Sequence, residues 1–180
     1  MQYTIIRSSR KTISIQITPD EKVLVRCPNR MAKRKIDGFV QSKADWIEAH
    51  LRKIAERPAV PKLTEPELKA LVAQAREVLP RLARGFAPRV GVTYGRITIR
   101  CQRTRWGSCS TAGNLNFNCL MMLSPPEVQA YVVVHELCHR KEMNHSPRFW
   151  QEVERVMPDY RTHKKWLKDN GNALMARLPE

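Results

Sequence analysis

The stretch "VVVHELCHRKEMNH", residues 132–145, decides how the rest of the chain is read. Three consecutive β-branched valines suggest a strand. The spacing of the polar residues argues against one. On a helix, His135 and His139 stand four apart on one face, about 6 Å from each other, so both imidazoles can converge on one cation. On a strand they would be about 13 Å apart, too far for a single ion. Just upstream, Ser124-Pro125-Pro126-Glu127 combines an N-cap residue, a proline at the first helical position and a capping-box glutamate. A buried helix over about 125–142 is therefore predicted. The charged pair Arg140-Lys141 implies that it surfaces soon after the histidines.

His135-Glu136-Leu137-Cys138-His139 is an H-E-x-x-H pattern, which a shuffled chain of this composition would show about once in a hundred. Two imidazoles one helical turn apart suit zinc or another divalent ion. Glu136 follows the first ligand and points beside the ion, where it can take a proton from water that the cation has acidified. A third ligand is needed, and His145 is the first candidate. Its distance from His139 equals that in H-E-x-x-H-x-x-G-x-x-H, although Glu142 stands where that pattern has glycine. Asn144, which tolerates a left-handed conformation, could turn the chain back. Glu152 and Glu154 on the next helix are the competing ligands. Three protein ligands leave a coordination position open, which suits catalysis better than a purely structural site.

Outward from this stretch, the first thirty residues read as an antiparallel β-meander. "TISIQIT" alternates, "PDE" turns, and "KVLVRC" returns. Residues 32–56 switch to helical spacing through Ile36, Phe39, Val40, Ile47, Leu51 and Ile54. "RPAVP" breaks the chain at Pro58 and Pro61. The expected organisation is 1–57 as a meander plus long helix, 58–66 as linker, and 67–180 as the catalytic core. A helix opens at Thr64 with a capping box to Glu67; Pro80 should kink it and Gly85 should stop it. "GRITIRCQ" and "NLNFNCLM" read as strands flanking a polar loop, "RTRWGSCSTAG". The second strand places Leu115, Phe117, Cys119 and Met121 inward and Asn114, Asn116 and Asn118 on the other face. Ser146-Pro147 starts another helix, and a last one runs from Tyr160 to about Asp169.

The 180 residues carry 32 Lys and Arg against 17 Asp and Glu, a net charge of +15. No acidic residue occurs between Glu77 and Glu127, yet Arg81, Arg84, Arg89, Arg96, Arg100, Arg103 and Arg105 do. Such a belt concentrates anions. The five cysteines contain no C-x-x-C pair, which fits free thiols in a reducing compartment. No apolar run is long enough to cross a bilayer, and the start lacks a signal-peptide block. A cytoplasmic protein without membrane partners is expected.

"RWGSCS", "YVVVHELCH", "NHSPRFW" and "MPDY", in this order, resemble the YgjP-like metallopeptidase-domain family. The resemblance covers nearly the whole chain. It implies an α+β protein with a compact zincin-like half, built from a small antiparallel sheet and the HExxH helix. It implies His135, His139 and His145 as ligands, Glu136 as base, and kinship with SprT-like and WLM metalloproteases, some of which act on DNA-bound proteins.

Three substrate readings follow. In the first, a peptidase holds an extended peptide along the strand 114–121, with Asn116 and Asn118 facing it. Tyr160 or His163 supplies an oxyanion donor, although Tyr160 reads first as a core residue. The second takes the substrate to be a nucleoside triphosphate, hydrolysed at a phosphoanhydride bond and gripped by Arg96, Arg100, Arg103 and Arg105. The third is a protease recruited by non-specific nucleic-acid contact. Trp106 and Trp150 are read as packing anchors ahead of base-stacking platforms, and His50 and His163 as surface residues.

Overall fold

The computed structural model describes residues 2–18, 21–56 and 60–179. The chain divides into two compact units, Met1–Ala59 and Val60–Glu180. The turn expected at Pro19-Asp20 and the break expected at Pro58 lie outside the described residues.

In the first unit, β1 (Thr4–Ser8), β2 (Ser14–Ile17) and β3 (Val23–Pro28) form a sheet in the order β1-β3-β2. β2 and β3 pair antiparallel as expected, but β1 pairs parallel with β3, so the three strands are not an antiparallel meander. The reason lies in β3. Its alternate residues Val23, Val25 and Cys27 are buried, which makes it the natural centre with a partner on each edge. The expected long helix is two helices, α1 (Lys33–Gln41) and α2 (Ala44–Ala55). At the break, the Ser42 hydroxyl donates to the Phe39 carbonyl at 2.8 Å, offering the backbone an alternative to continued helix. Ile36, Val40 and Ile47 from these helices meet the β3 valines in one apolar cluster.

The second unit opens with Val60–Thr64. Leu63 is buried, and its N–H donates to the Arg177 carbonyl at 2.8 Å. α3 (Glu65–Val90) starts with the predicted capping box between Thr64 and Glu67. It does not stop at Gly85. Its buried stripe Ala75, Leu79, Ala83, Ala87 and Val90 continues across that glycine, and burial of the last turns outweighs the weak helix preference of one exposed residue. The helix ends at Gly91, whose φ of 80° is the left-handed cap conformation.

β4 (Ile97–Arg100), β5 (Gly107–Cys109) and β6 (Leu115–Asn118) form the second sheet, in the order β4-β6-β5. β5 and β6 are antiparallel, but β4 and β6 are parallel, so this sheet is also mixed. The predicted strand 114–121 stops at Asn118 and becomes a 3-10 turn over Cys119–Leu123. α4 (Pro126–Cys138), α5 (Pro147–Val156) and α6 (Tyr160–Met175) complete the unit. Ser124 does not cap α4. Its hydroxyl donates to the Met121 carbonyl at 2.7 Å, closing the preceding turn, and Pro125 occupies the N-cap position. α4 also ends earlier than predicted, with His139 as its C-cap. It is apolar on every side, packed by α3, α5, α6 and β5, which accounts for the valine run.

Glycine substitutions distinguish the two positions on α3. A Cβ at Gly85 meets nothing within 4 Å, whereas Gly91 needs positive φ. Gly85→Ala should stabilise the protein by about 0.5–1 kcal/mol, and Gly91→Ala should destabilise it by about 1 kcal/mol. Thermal or urea unfolding of the two variants reads the opposite signs.

Candidate metal centre and active site

α4 presents His135, Glu136 and His139 at its C-terminal end. Past the helix, the N–H groups of Lys141 and Glu142 both reach back to the Cys138 carbonyl. The Asn144 side chain then accepts from the Ser146 N–H at 3.0 Å, and Ser146 caps α5. This polar turn brings His145 back to the helix without a left-handed Asn144, since Glu21 is the only non-glycine residue with positive φ among those described.

The result is a cluster of three imidazoles, with His135 Nε2 lying 3.2 Å from His139 Nε2 and 3.0 Å from His145 Nε2. Ligand nitrogens bound tetrahedrally to zinc at about 2.0–2.1 Å would be about 3.3 Å apart. His139 Nδ1 sits 3.0 Å from the Glu142 carbonyl oxygen, which can only accept, so Nδ1 carries the proton and Nε2 keeps its lone pair. Burial, reinforced by His139 and His145 and by Lys164, pushes the His135 pKa down to about 3; burial also lowers that of His139. Both shifts favour the neutral ring, the form that metal binding requires. The donor set fits a divalent ion, and all three residues could hold one.

Phe149 forms the apolar support of the cluster. It is fully buried, with its ring centroid 4.5–4.9 Å from each imidazole. Trp150 lies stacked on His145 at 5.7 Å and on Tyr160 at 5.4 Å. Trp150 is the packing anchor expected from the sequence, whereas Phe149 carried no expectation; their place four and five residues after the third histidine, in "NHSPRFW", is the available signal.

Glu136 is 5% exposed. Burial raises its pKa to about 8, and the Arg105 guanidinium opposes that rise. A divalent cation alongside favours the carboxylate form. The carboxylate fits because β5 approaches as glycine: a Cβ on Gly107 would sit 2.6 Å from Glu136 Oε1. β5 falls inside the segment 103–113, expected as a polar loop. With only three residues and one apolar side chain, it carries no alternation to detect. Gly107, Ser108, Cys109, His135, Glu136, His139, Met143 and His145 line an open cavity of about 230 Å³.

The other candidates fall elsewhere. Glu152 bonds Lys141 and Arg155, and Glu154 bonds Arg161, so these carboxylates are engaged away from the cluster. Asn116 donates to the Ser108 hydroxyl at 3.2 Å. Asn118 is fully buried: its amide nitrogen donates to the carbonyls of Gln102 at 2.6 Å and Arg105 at 3.1 Å, and its oxygen accepts from the Leu120 N–H. It ties down the loop leading to β5. Arg96, Arg100, Arg103 and Arg105 are all exposed, and Arg103 also bonds the Pro179 carbonyl. Tyr160 is buried between Trp150 and Tyr131. His163, expected at the surface, has a side chain only 12% exposed and pairs with Asp159, and the half-buried His50 ring contacts Trp46. Trp106 packs on Gly171, where a Cβ would approach to 3.2 Å.

A buried helix offering two histidines and a glutamate, with a third histidine returned by a turn, defines a metal-dependent hydrolase. The YgjP-like metallopeptidase-domain family matches residues 11–72 and 67–170, and the chain belongs to that family. Membership implies a divalent metal, typically zinc, and a peptide substrate. The structure is similar to the metallopeptidase zymogen abylysin of Pyrococcus abyssi, with 22% identity and a TM-score of 0.46 over 51% of this chain and 93% of that one. It is likewise similar to the zymogen jannalysin of Methanocaldococcus jannaschii, with 17% identity and a TM-score of 0.45 over 51% of this chain and 95% of that one. No curated protein matches the sequence. Among the described residues, no helix is long and apolar enough to cross a membrane.

Asn118 and Asn116 should respond differently to truncation. Asn118→Ala removes a fully buried amide and its three hydrogen bonds to backbone and should cost about 2–3 kcal/mol, whereas Asn116→Ala should cost under about 1 kcal/mol. Equilibrium urea unfolding measures both.

Proposed function

We propose that the protein is a zinc-dependent peptidase in which His135, His139 and His145 hold the ion and Glu136 is the general base. The observation that carries this reading is the convergence of three Nε2 atoms, 3.0 and 3.2 Å from one another about His135, with a buried carboxylate on the next residue. A divalent ion held there would supply Lewis acidity for the scissile carbonyl and for the attacking water. Glu136 takes the proton from that water and delivers it to the departing amine. Gly107 keeps the carboxylate in place by yielding the space a side chain would fill. Phe149 and Trp150 exclude water from the far side of the imidazoles.

The substrate lies along β5. The strand 114–121, the expected docking edge, is unsuited because β6 is the central strand with β4 and β5 on either side. β5 is at the sheet edge, and its three residues line the same cavity as the histidines. An extended peptide pairing with that edge would bring its backbone past Glu136. Tyr160 as oxyanion donor would have to reach the substrate from a buried stack. The five free thiols suit a cytoplasmic setting.

A second reading, hydrolysis of a nucleoside triphosphate at a phosphoanhydride, is favoured by the unneutralised cations near the cluster, Arg105 and Lys164. The two readings diverge in one experiment: zinc-loaded protein is offered a peptide library and the four nucleoside triphosphates, with mass spectrometry of the products. Peptide fragments identify the first and pyrophosphate the second. In either case Glu136→Gln should retain one equivalent of metal and lose at least about 100-fold in turnover. His135→Ala and His139→Ala should lose the metal itself, as read by elemental analysis. Full turnover in Glu136→Gln would remove the base from the scheme.

A further inference from the structure

The basic residues of the second unit fall into two groups. Most near the site are already used. Lys141 and Arg155 share Glu152, Arg161 bonds Glu154, and Lys165 bonds Asp169. Arg140 donates to the carbonyls of Thr93 and Thr111. Of those with no carboxylate partner among the described residues, which include Arg96, Arg100 and Arg148, two are placed against groups that touch the cluster.

Arg105 is exposed, makes no side-chain hydrogen bond, and stands two residues before the glycine that touches Glu136. Its backbone is not free to drift, because the buried Asn118 amide grips its carbonyl at 3.1 Å. Lys164 is exposed on α6, and its ammonium sits 3.7 Å over the centroid of Trp150, whose indole stacks on His145 at 5.7 Å. One cation thus arrives on the β5 side, along the peptide edge, and the other one aromatic ring away from the third histidine. An unpaired charge fixed on a rigid support beside a reacting centre attracts a ligand of opposite sign.

We infer that Arg105 and Lys164 are specificity-determining residues that bind anionic groups of the substrate beside the scissile bond. The inference rests on the three-histidine cluster being the hydrolytic centre, and it narrows the substrate to an anionic one. For a peptide these groups are Asp or Glu side chains, or a terminal carboxylate, near the cleaved bond. A phosphate would present the same chemistry to the same two cations. Arg105 can take either group with two parallel N–H donors, while Lys164, flattened against Trp150, acts as a point charge. Neither residue enters the bond-breaking step.

The test is binding to the full-length, zinc-loaded Glu136→Gln protein, which holds ligand without consuming it. Hexaglutamate, adenosine monophosphate and, as a control of opposite sign, hexalysine are titrated by calorimetry. The same titrations follow for added Arg105→Gln, Lys164→Gln, Lys164→Arg and Lys165→Gln, with zinc content measured for each. One of the two anions should bind and hexalysine should not, and the anion that binds says whether carboxylate or phosphate is the partner. Arg105→Gln and Lys164→Gln should each weaken it by about tenfold, the value of one charge-assisted hydrogen bond. Lys164→Arg should restore affinity, and Lys165→Gln, which removes an equal charge from the same helix, should change it less than about twofold. Equal weakening by Lys165→Gln would reduce the effect to net charge and overturn the inference. Undiminished binding in both glutamine variants, or no anion binding at all, would also overturn it. Because zinc content and turnover of Glu136→Gln are read separately, failure of the hydrolytic reading shows itself independently of these affinities.

Discussion

The burial of α4 on all sides is the constraint on which the rest of the second unit depends. Val132, Val133, Val134, Leu137 and Cys138 are each 0–3% exposed, and the helix is enclosed by α3, α5, α6 and β5. Full burial of an aliphatic side chain contributes about 1.5–3 kcal/mol, so rotating this helix about its axis would forfeit several such terms at once. The directions of His135, Glu136 and His139 are therefore inherited from packing. The valines that look strand-forming serve here because a buried helix needs apolar residues on every face.

Such an environment is hostile to the polar residues it orients. Burial is the first cause of the depressed His135 and His139 pKa values and of the raised Glu136 value. The fold compensates locally: the Glu142 carbonyl fixes one imidazole, Phe149 supports all three, and a glycine strand yields space to the carboxylate.

The basic character of the chain resolves into different tasks. Arg155 donates to the carbonyls of Arg89 and Val90, the last turn of α3, and Arg89 donates to Val156 at the end of α5. These arginines neutralise helix C-termini that lack intrahelical partners. Arg140 staples the segments around Thr93 and Thr111, packing so closely over Gly113 that a Cβ there would collide with its guanidinium. Part of what reads as an anion-attracting belt is thus internal scaffolding, and charge counting by itself could not separate the two uses.

The sequence alone determined the local features. The capping box at Thr64, the helical spacing that puts His135 and His139 on one face, and the interval to His145 are all set by residues within one or two turns of each other, where period and cap chemistry are legible. Only the tertiary structure decided the placement of β1 beside β3, the parallel pairing of β4 with β6, the continuation of α3 past Gly85 and the burial of Asn118. Strand order and burial depend on which distant segment lies alongside, and alternation in a four-residue strand is the same whichever neighbour it has. The glycine facing Glu136 and the aromatics under the imidazoles belong to that second class, because their role exists only once three separate elements have closed around one helix end.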